Sequence, residues 1–70
     1  MPRGRSYRRR NAYPQFKRGV RVRVKPDWAE AHQHGEVLCA AVYVSQWWVP
    51  VLWDGEEDPD WFKAAGLEIE

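Results

Sequence analysis

The clearest periodic pattern in the chain is an alternation of valine and cationic residues. Valine occupies the even-numbered positions Val20, Val22 and Val24. Cations occupy the odd-numbered positions Arg21, Arg23 and Lys25. A period of two with β-branched residues on one face predicts a β-strand whose valines face a core and whose cations face water. Pro26 and Asp27 end this first strand.

Two further strands are predicted in the middle of the chain. The second runs from about Glu36 to Val44 and is apolar on both faces, so it is either central or covered by a partner. Cys39 lies within it and is predicted to be a buried, inert thiol. Ser45 and Gln46 form a break of hairpin length, and a third strand follows from Trp47 to Trp53.

The third strand has two different faces. Val49, Val51 and Trp53 share the face predicted to join the core, whereas Trp48, Pro50 and Leu52 share the outward face. An outward apolar row of this kind indicates a protein interface. The alternative is a bulge at Pro50, which lacks an N–H for the ladder, that switches the register and buries Trp48.

The last part of the chain predicts two short strands. Trp61 and Phe62 mark the fourth, and Leu67 and Ile69, alternating with glutamates, mark the fifth. Residues 63–66 between them predict a single helical turn stopped by glycine. Five short strands separated by turn signals predict an all-β domain that closes into a small barrel.

This order of strands resembles the SH3-like barrels of the KOW and Tudor type. The stretches that carry the resemblance are Lys17-Arg-Gly-Val-Arg-Val-Arg-Val, Gly35-Glu-Val, Val49-Pro-Val-Leu-Trp-Asp-Gly, Trp61-Phe and Leu67-Glu-Ile. The resemblance covers about residues 17–70 and implies a five-stranded SH3-like β-barrel. The resemblance also implies a function of the kind this fold has in RNA-polymerase and ribosome factors, in methyl-lysine readers and in accessory subunits of larger complexes. A clean set of cage aromatics, as in Tudor domains, is not found here.

Charge divides the chain into two unequal parts. Residues 1–26 carry ten cations and no acid, while residues 27–70 carry ten acids against Lys63 alone, for a net charge of +1. Residues 1–16 also contain two prolines and no Val, Ile or Leu. Such a segment cannot bury enough apolar surface to offset its ordering entropy, so we predict a flexible, disordered basic arm over residues 1–16.

The basic arm predicts binding to a nucleic acid, DNA or RNA, or to a nucleoprotein complex. Guanidinium groups bind phosphates bidentately, and interleaved tyrosines can stack on bases. The candidate nucleic-acid-binding residues are Arg3, Arg5, Arg8, Arg9, Arg10, Lys17, Arg18, Arg21, Arg23, Tyr7 and Tyr13. Three alternatives stay open: an adaptor or regulatory subunit whose arm binds an acidic protein, a solvated tail, and an arm folded back on the acidic residues 54–60.

Other chemistry receives little support from the sequence. The acids of residues 54–60 do not follow the EF-hand spacing, and His32, His34 and Cys39 lack the paired spacing of a zinc site. We therefore expect no metal, no cofactor, no catalytic residue and a non-enzymatic protein. One cysteine cannot form an intramolecular disulfide and no apolar run reaches the length of a membrane span, so a cytoplasmic protein is expected.

Overall fold

The computed structural model describes residues 10–70, and these residues form an all-β domain. The elements are β1 (Arg21–Val24), β2 (His34–Val37), β3 (Val42–Val44), β4 (Gln46–Trp53), β5 (Asp60–Lys63), a 3₁₀ turn (Ala64–Gly66) and β6 (Leu67–Ile69). The all-β prediction is confirmed, as are the first, third, fourth and fifth predicted strands. The predicted disorder of residues 1–9 lies outside the described residues.

All strand pairs are antiparallel, and they form one open sheet. β1 pairs with β2 on one side and with β6 on the other, while β2 also pairs with β4. β4 is the longest strand and carries β5 and β3 as further neighbours. No pairing joins β5 to β6 within residues 10–70, so the pairing pattern does not by itself close a barrel.

The predicted second strand is wrong in one respect, because it is interrupted. Val37 pairs with Val51 and Val42 with Trp48, so the chain advances five residues on one strand while β4 advances three. Two extra residues therefore bulge out between β2 and β3. A shift of two preserves the side-chain faces, since the pleat has a period of two.

Pro50 explains where this interruption falls. Leu38 N–H donates to the Pro50 carbonyl at 2.9 Å, so the backbone groups of Pro50 point toward β2 and β3 rather than toward β5. Proline has no N–H to return the bond, so the ladder cannot continue there. The loop that results leaves Cys39 exposed, which corrects the prediction of a buried, mid-strand thiol.

The core lies on the side of the sheet that carries the valines of β1. Val22 and Val24 are 0% and 1% exposed, and Arg21 and Arg23, which alternate with them, face solvent, as predicted. The remaining buried apolar side chains are Phe16, Val37, Val49, Val51, Trp53, Ala64 and Leu67. The predicted inward face of β4 is thus confirmed.

Phe16 corrects the predicted end of the arm. Its side chain is only 2% exposed and belongs to the core, although residues 1–16 were predicted to have no anchor. Tyr13 packs against the same core, and Phe16 N–H donates to its carbonyl at 3.1 Å. The folded domain therefore begins before Lys17. The segment has no Val, Ile or Leu, but Tyr13 and Phe16 supply the apolar surface that anchors it.

Candidate nucleic-acid interface

The outward cations of β1 lie in a lattice of salt bridges. Arg21 donates two hydrogen bonds to the Asp54 carboxylate, at 2.9 and 2.6 Å, and a third to Glu70 at 3.3 Å. Arg23 Nε donates to Glu68 at 2.8 Å. The antiparallel pairing of β1 with β6 opposes Arg23 and Glu68 directly. Cross-strand pairing therefore neutralises this face of the sheet.

These salt bridges shift the pKa values of Arg21, Asp54 and Glu70. The bidentate hydrogen bonds to Asp54 raise the pKa of Arg21, and they lower the pKa of Asp54 below its ordinary value. Glu70 contacts both His34 Nδ1 and Arg21, and these contacts, His34 first, lower its pKa as well. Each shift has the sign of an opposite charge stabilising the ionised form.

Arg21 and Arg23 were predicted to extend a basic surface for nucleic acid. The structure places both against carboxylates, so an incoming phosphate would have to displace an existing partner. The outer face of β1 is charge-compensated rather than cationic. Local sequence could not indicate this, because the acids come from positions 33 to 49 residues away in the chain.

Three other predicted cations have a different environment. Arg10, Lys17 and Arg18 are exposed and form no salt bridge with any described residue. They flank the buried Phe16, so the folded domain holds this part of the cationic segment in place. Arg3, Arg5, Arg8, Arg9 and Tyr7 lie outside the described residues. Three of the predicted cations thus remain available to an anionic ligand within the described chain.

Tyr13 was predicted to stack on a base, and its ring already has protein neighbours. It stacks on Phe16 with ring centroids 5.8 Å apart and planes 9° apart. Its ring also meets Trp47 in an edge contact at 6.4 Å. Tyr13 is half-buried, and its contacts fix the segment that carries Arg10 against the start of β4.

Tyr13 and the acidic turn lie at opposite ends of β4. Tyr13 contacts Trp47, the second residue of this strand, whereas Asp54 follows its last residue. Six residues of extended chain separate Trp47 from Trp53, which is about 20 Å. Lys17 and Arg18 precede Arg21, which donates hydrogen bonds to Asp54, so this separation describes Tyr13 and not these two cations.

The outer face near β3 is apolar. Val42, Val44, Trp48 and Trp61 line an open groove of about 410 Å³. Trp48 Nε1 donates to the Val44 carbonyl at 3.0 Å, which fixes the indole over the hairpin. Trp61 is 54% exposed and stands opposite Pro50 in the pairing of β4 with β5.

Only one residue of the predicted interface row of Trp48, Pro50 and Leu52 lines this groove. Trp48 lines the groove, but Pro50 is buried and Leu52 is half-buried away from it. The sequence reasoning missed Val42, Val44 and Trp61. Their shared face follows from the register, in which Val42 opposes Trp48 and Pro50 opposes Trp61.

The remaining candidate chemistry stays dispersed in the described part of the chain. No three His, Cys, Asp or Glu side chains lie close enough there to hold a metal ion. No polar or charged residue of residues 10–70 is buried. Nor does that part of the chain contain a helix that is long and apolar enough to cross a membrane.

Comparison with known proteins gives no relative. No family model, no curated protein and no solved structure matches this chain. Its function must therefore be argued from its own residues.

Proposed function

We propose that this protein is a small, non-enzymatic module that binds nucleic acid, DNA or RNA, alone or within a nucleoprotein complex. The observation that carries the proposal is that three of the cations predicted to bind nucleic acid, Arg10, Lys17 and Arg18, are exposed and lie outside any described salt bridge. Residues 1–18 carry seven cations and no acid, so these three belong to a longer cationic segment. An uninterrupted run of this kind attracts the phosphate backbone.

The proposal includes an SH3-like barrel as the scaffold. The pairings run β6–β1–β2–β4–β5, so β5 and β6 stand at the two ends of one path. Only the three residues Ala64–Gly66 connect β5 to β6. A three-residue link between the two ends requires the sheet to curl on itself, which supports a barrel-like arrangement. Gly66 fits this tight connection, since an added Cβ would meet the Trp28 ring at 2.8 Å.

The charge distribution gives the proposed complex an orientation. Phosphates would approach the end of β4 that carries Trp47 and avoid the turn that carries Asp54, Glu56 and Glu57, because like charges repel. Phosphate contacts carry no base information, so affinity is expected to depend little on sequence. Arg21 and Arg23 take no part in this account, since their carboxylate partners already occupy them.

A non-enzymatic role agrees with the environment of the titratable groups. General acid–base catalysis relies on groups whose pKa is tuned by a pocket or by burial. Here the shifted groups, Arg21, Asp54 and Glu70, lie in exposed salt bridges. The exposed thiol of Cys39 supports a reducing compartment, and a cytoplasmic location is part of the proposal.

Binding of duplex DNA and of single-stranded RNA at increasing salt tests the proposal. The matched pair is Arg10→Ala/Lys17→Ala/Arg18→Ala against Arg21→Gln/Arg23→Gln, read by fluorescence anisotropy. Each lost phosphate contact flattens the slope of log affinity against log salt by about 0.9, so the triple variant should lose up to about 2.7 on DNA. The double variant should keep the slope of the wild type.

Two results would count against this proposal. Equal slopes for the wild type and the triple variant would mean that the unpaired cations do not contact phosphates. Absence of binding to both DNA and RNA at low salt would favour the second candidate, an adaptor whose cationic segment binds an acidic protein surface. The same exposed cations support that candidate, and a polyglutamate probe would distinguish it from the first.

A further inference from the structure

Two tryptophans have no ring partner within residues 10–70. The other aromatic residues there all pack ring against ring: Tyr13, Phe16, Trp28, Tyr43, Trp47, Trp53 and Phe62. Trp48 and Trp61 take part in none of these pairs, and both line the open groove on the outer face of the sheet. The fold uses its other rings for its own packing, whereas these two lie where a ligand can reach them.

The two tryptophans adjoin across strands. Trp48 opposes Lys63 and Pro50 opposes Trp61, so Trp61 is the diagonal neighbour of Trp48 on one face. Diagonal neighbours have Cα atoms about 7–8 Å apart, and large aromatic side chains at such positions can contact the same ligand. The Nε1–H of Trp48 donates to the Val44 carbonyl at 3.0 Å. Its only donor is therefore occupied, and Trp48 offers a ligand its ring rather than a hydrogen bond.

Charge beside the groove favours an anionic ligand. β3 and β4 carry no charged residue. Lys63 is the only Lys or Arg of residues 27–70, and it lies directly opposite Trp48. It is exposed and forms no salt bridge with any described residue. Asp60 alternates with Trp61 along β5 and so belongs to the other side of the pleat. An ammonium group next to two indoles repels a cationic ligand and suits one that joins a flat apolar group to an anion.

We propose that Trp48 and Trp61 bind unpaired bases of single-stranded nucleic acid by stacking, and that Lys63 contacts an adjacent phosphate. This inference rests on the proposed function and narrows its ligand. Aromatic side chains beside a cationic surface bind single strands with little regard to sequence, because every base has a flat ring face. Bases inside a duplex are covered on both faces and must be extruded before a protein can reach them. The groove therefore selects single strands, DNA or RNA, over duplexes.

The cationic segment is attached at the same end of β4 as the groove. Tyr13 contacts Trp47, the residue before Trp48, at 6.4 Å. Arg10 lies three residues before Tyr13, is exposed and forms no described salt bridge. A strand whose bases occupy the groove can therefore extend its phosphates toward this cation. An uncharged peptide, the other ligand that an apolar groove could hold, would use neither Lys63 nor Arg10.

A matched pair of variants at Trp61 tests the stacking. Trp61 is 54% exposed and forms no described ring contact, so both variants should keep the circular dichroism of the wild type. Trp61→Leu keeps an apolar side chain without a ring, whereas Trp61→Phe keeps a ring. Anisotropy with a labelled oligothymidylate of about 12 nucleotides, a length within the range of known single-strand sites, reads the affinity. Trp61→Leu should bind about 5-fold or more weakly, the lower end of the loss per stacked base, and Trp61→Phe within about 3-fold of the wild type.

An abasic oligonucleotide of the same length separates bases from phosphates. The wild type should bind it more weakly than oligothymidylate, and Trp61→Leu should bind it as the wild type does. Lys63→Gln should flatten the slope of log affinity against log salt by about 0.7 on both ligands, since one phosphate contact to a single strand is lost. Trp61→Leu should leave that slope unchanged. Equal affinity of the wild type and Trp61→Leu for oligothymidylate, or an equal loss on both ligands, would overturn the inference.

The indole N–H signals of the unmodified protein give a test that does not depend on a variant. In nuclear magnetic resonance spectra, oligothymidylate should shift the signals of Trp48 and Trp61. It should leave those of Trp28 and Trp53 in place, because both of these rings pack against Phe62 inside the fold. Shifts of Trp48 and Trp61 with an uncharged proline-rich peptide, and none with oligothymidylate, would assign the groove to a peptide and overturn the inference.

The outcome is separable from that of the proposed function. Arg10→Ala/Lys17→Ala/Arg18→Ala should flatten the salt slope while the indole shifts persist at low salt. Equal binding of oligothymidylate and the abasic strand by the wild type, with a slope that this triple variant flattens, would refute the stacking alone. Absence of binding to every nucleic acid at low salt would refute both.

Discussion

The sheet has two solvent-facing regions with opposite chemistry. On β1 and β6, Arg21 and Arg23 meet Asp54, Glu68 and Glu70 in a continuous set of salt bridges. On β3 and the start of β4, no charged residue is present, and valine and tryptophan side chains face solvent. Both regions are formed by short antiparallel strands, so the backbone does not distinguish them.

The comparison shows that exposure alone does not define a binding surface. Ile69 on β6 is 49% exposed and Val44 on β3 is 63% exposed, yet their surroundings differ. Ile69 lies between Glu68 and Glu70, which hold cations, whereas Val44 lies beside Trp48. One region is therefore neutralised by charges that pair within the protein, whereas the other presents apolar side chains to solvent.

The largest expected effect comes from disrupting the inner face of the charged region. Val22→Asp would bury an unpaired carboxylate at a site that is 0% exposed. The cost should be at least about 4 kcal/mol, comparable with the whole stability of a small domain, so the protein should unfold. Circular dichroism during thermal melting measures this. Arg23→Gln, one residue on, is the control, and equal damage from both would contradict the assigned pleat.

A smaller loss is expected where the cationic segment joins the apolar region. Phe16→Ala removes a ring that is 2% exposed and stacked on Tyr13, which should destabilise the fold by about 3–5 kcal/mol. Chemical denaturation measures the change. Gln15→Ala is a suitable control, because Gln15 is exposed. An unchanged denaturation midpoint for Phe16→Ala would mean that the segment before Lys17 is not anchored to the core.

The periodic elements could be predicted from the sequence, because valine alternation and turn residues are local signals. β1, β4, β5, β6 and the 3₁₀ turn follow from such signals. The interruption between β2 and β3 does not follow from local signals, because its cause is the missing N–H of Pro50 on a neighbouring strand. The pattern did indicate a bulge or an edge for Pro50, but not that the partner strand would bulge.

The candidate site was less predictable, for a related reason. The cations and the apolar tryptophan were visible in the sequence, but which of them remain available depends on long-range pairing. Arg21 and Asp54 are 33 residues apart, and Trp48 and Trp61 line one groove because of the register of β4 with β5. Phe16 was assigned to the arm because the surrounding composition outweighed a single aromatic residue.

Acid sharpens the contrast between the two regions. The pKa values of Asp54 and Glu70 are lowered in the folded protein, so their stabilising effect is present above the unfolded pKa near 4 and is lost as pH falls through the folded values. Melting temperature should therefore drop between about pH 5 and pH 2. Asp54→Asn/Glu70→Gln should show a smaller drop than the wild type.

Glu57→Gln is the control for this titration, because Glu57 is exposed and forms no salt bridge within residues 10–70. It should follow the wild-type curve. A double variant that loses stability with acid as steeply as the wild type would mean that the salt bridges of β1 and β6 do not set the pH dependence. Since both carboxylates are solvent-exposed, added salt should also reduce the difference.

The smallest effect is expected for the loss of a single cation from the charged region. Arg23→Gln removes the salt bridge between Arg23, whose side chain is 49% exposed, and Glu68, whose side chain is 35% exposed. Exposed pairs of this kind contribute about 0.2–1 kcal/mol, since solvent screens them and ordering two long side chains costs entropy. Denaturation midpoints should shift only slightly, and less still at high salt. A loss above about 2 kcal/mol would mean that the lattice stabilises the fold cooperatively, so that these salt bridges hold β6 in place as well as neutralising the face of β1.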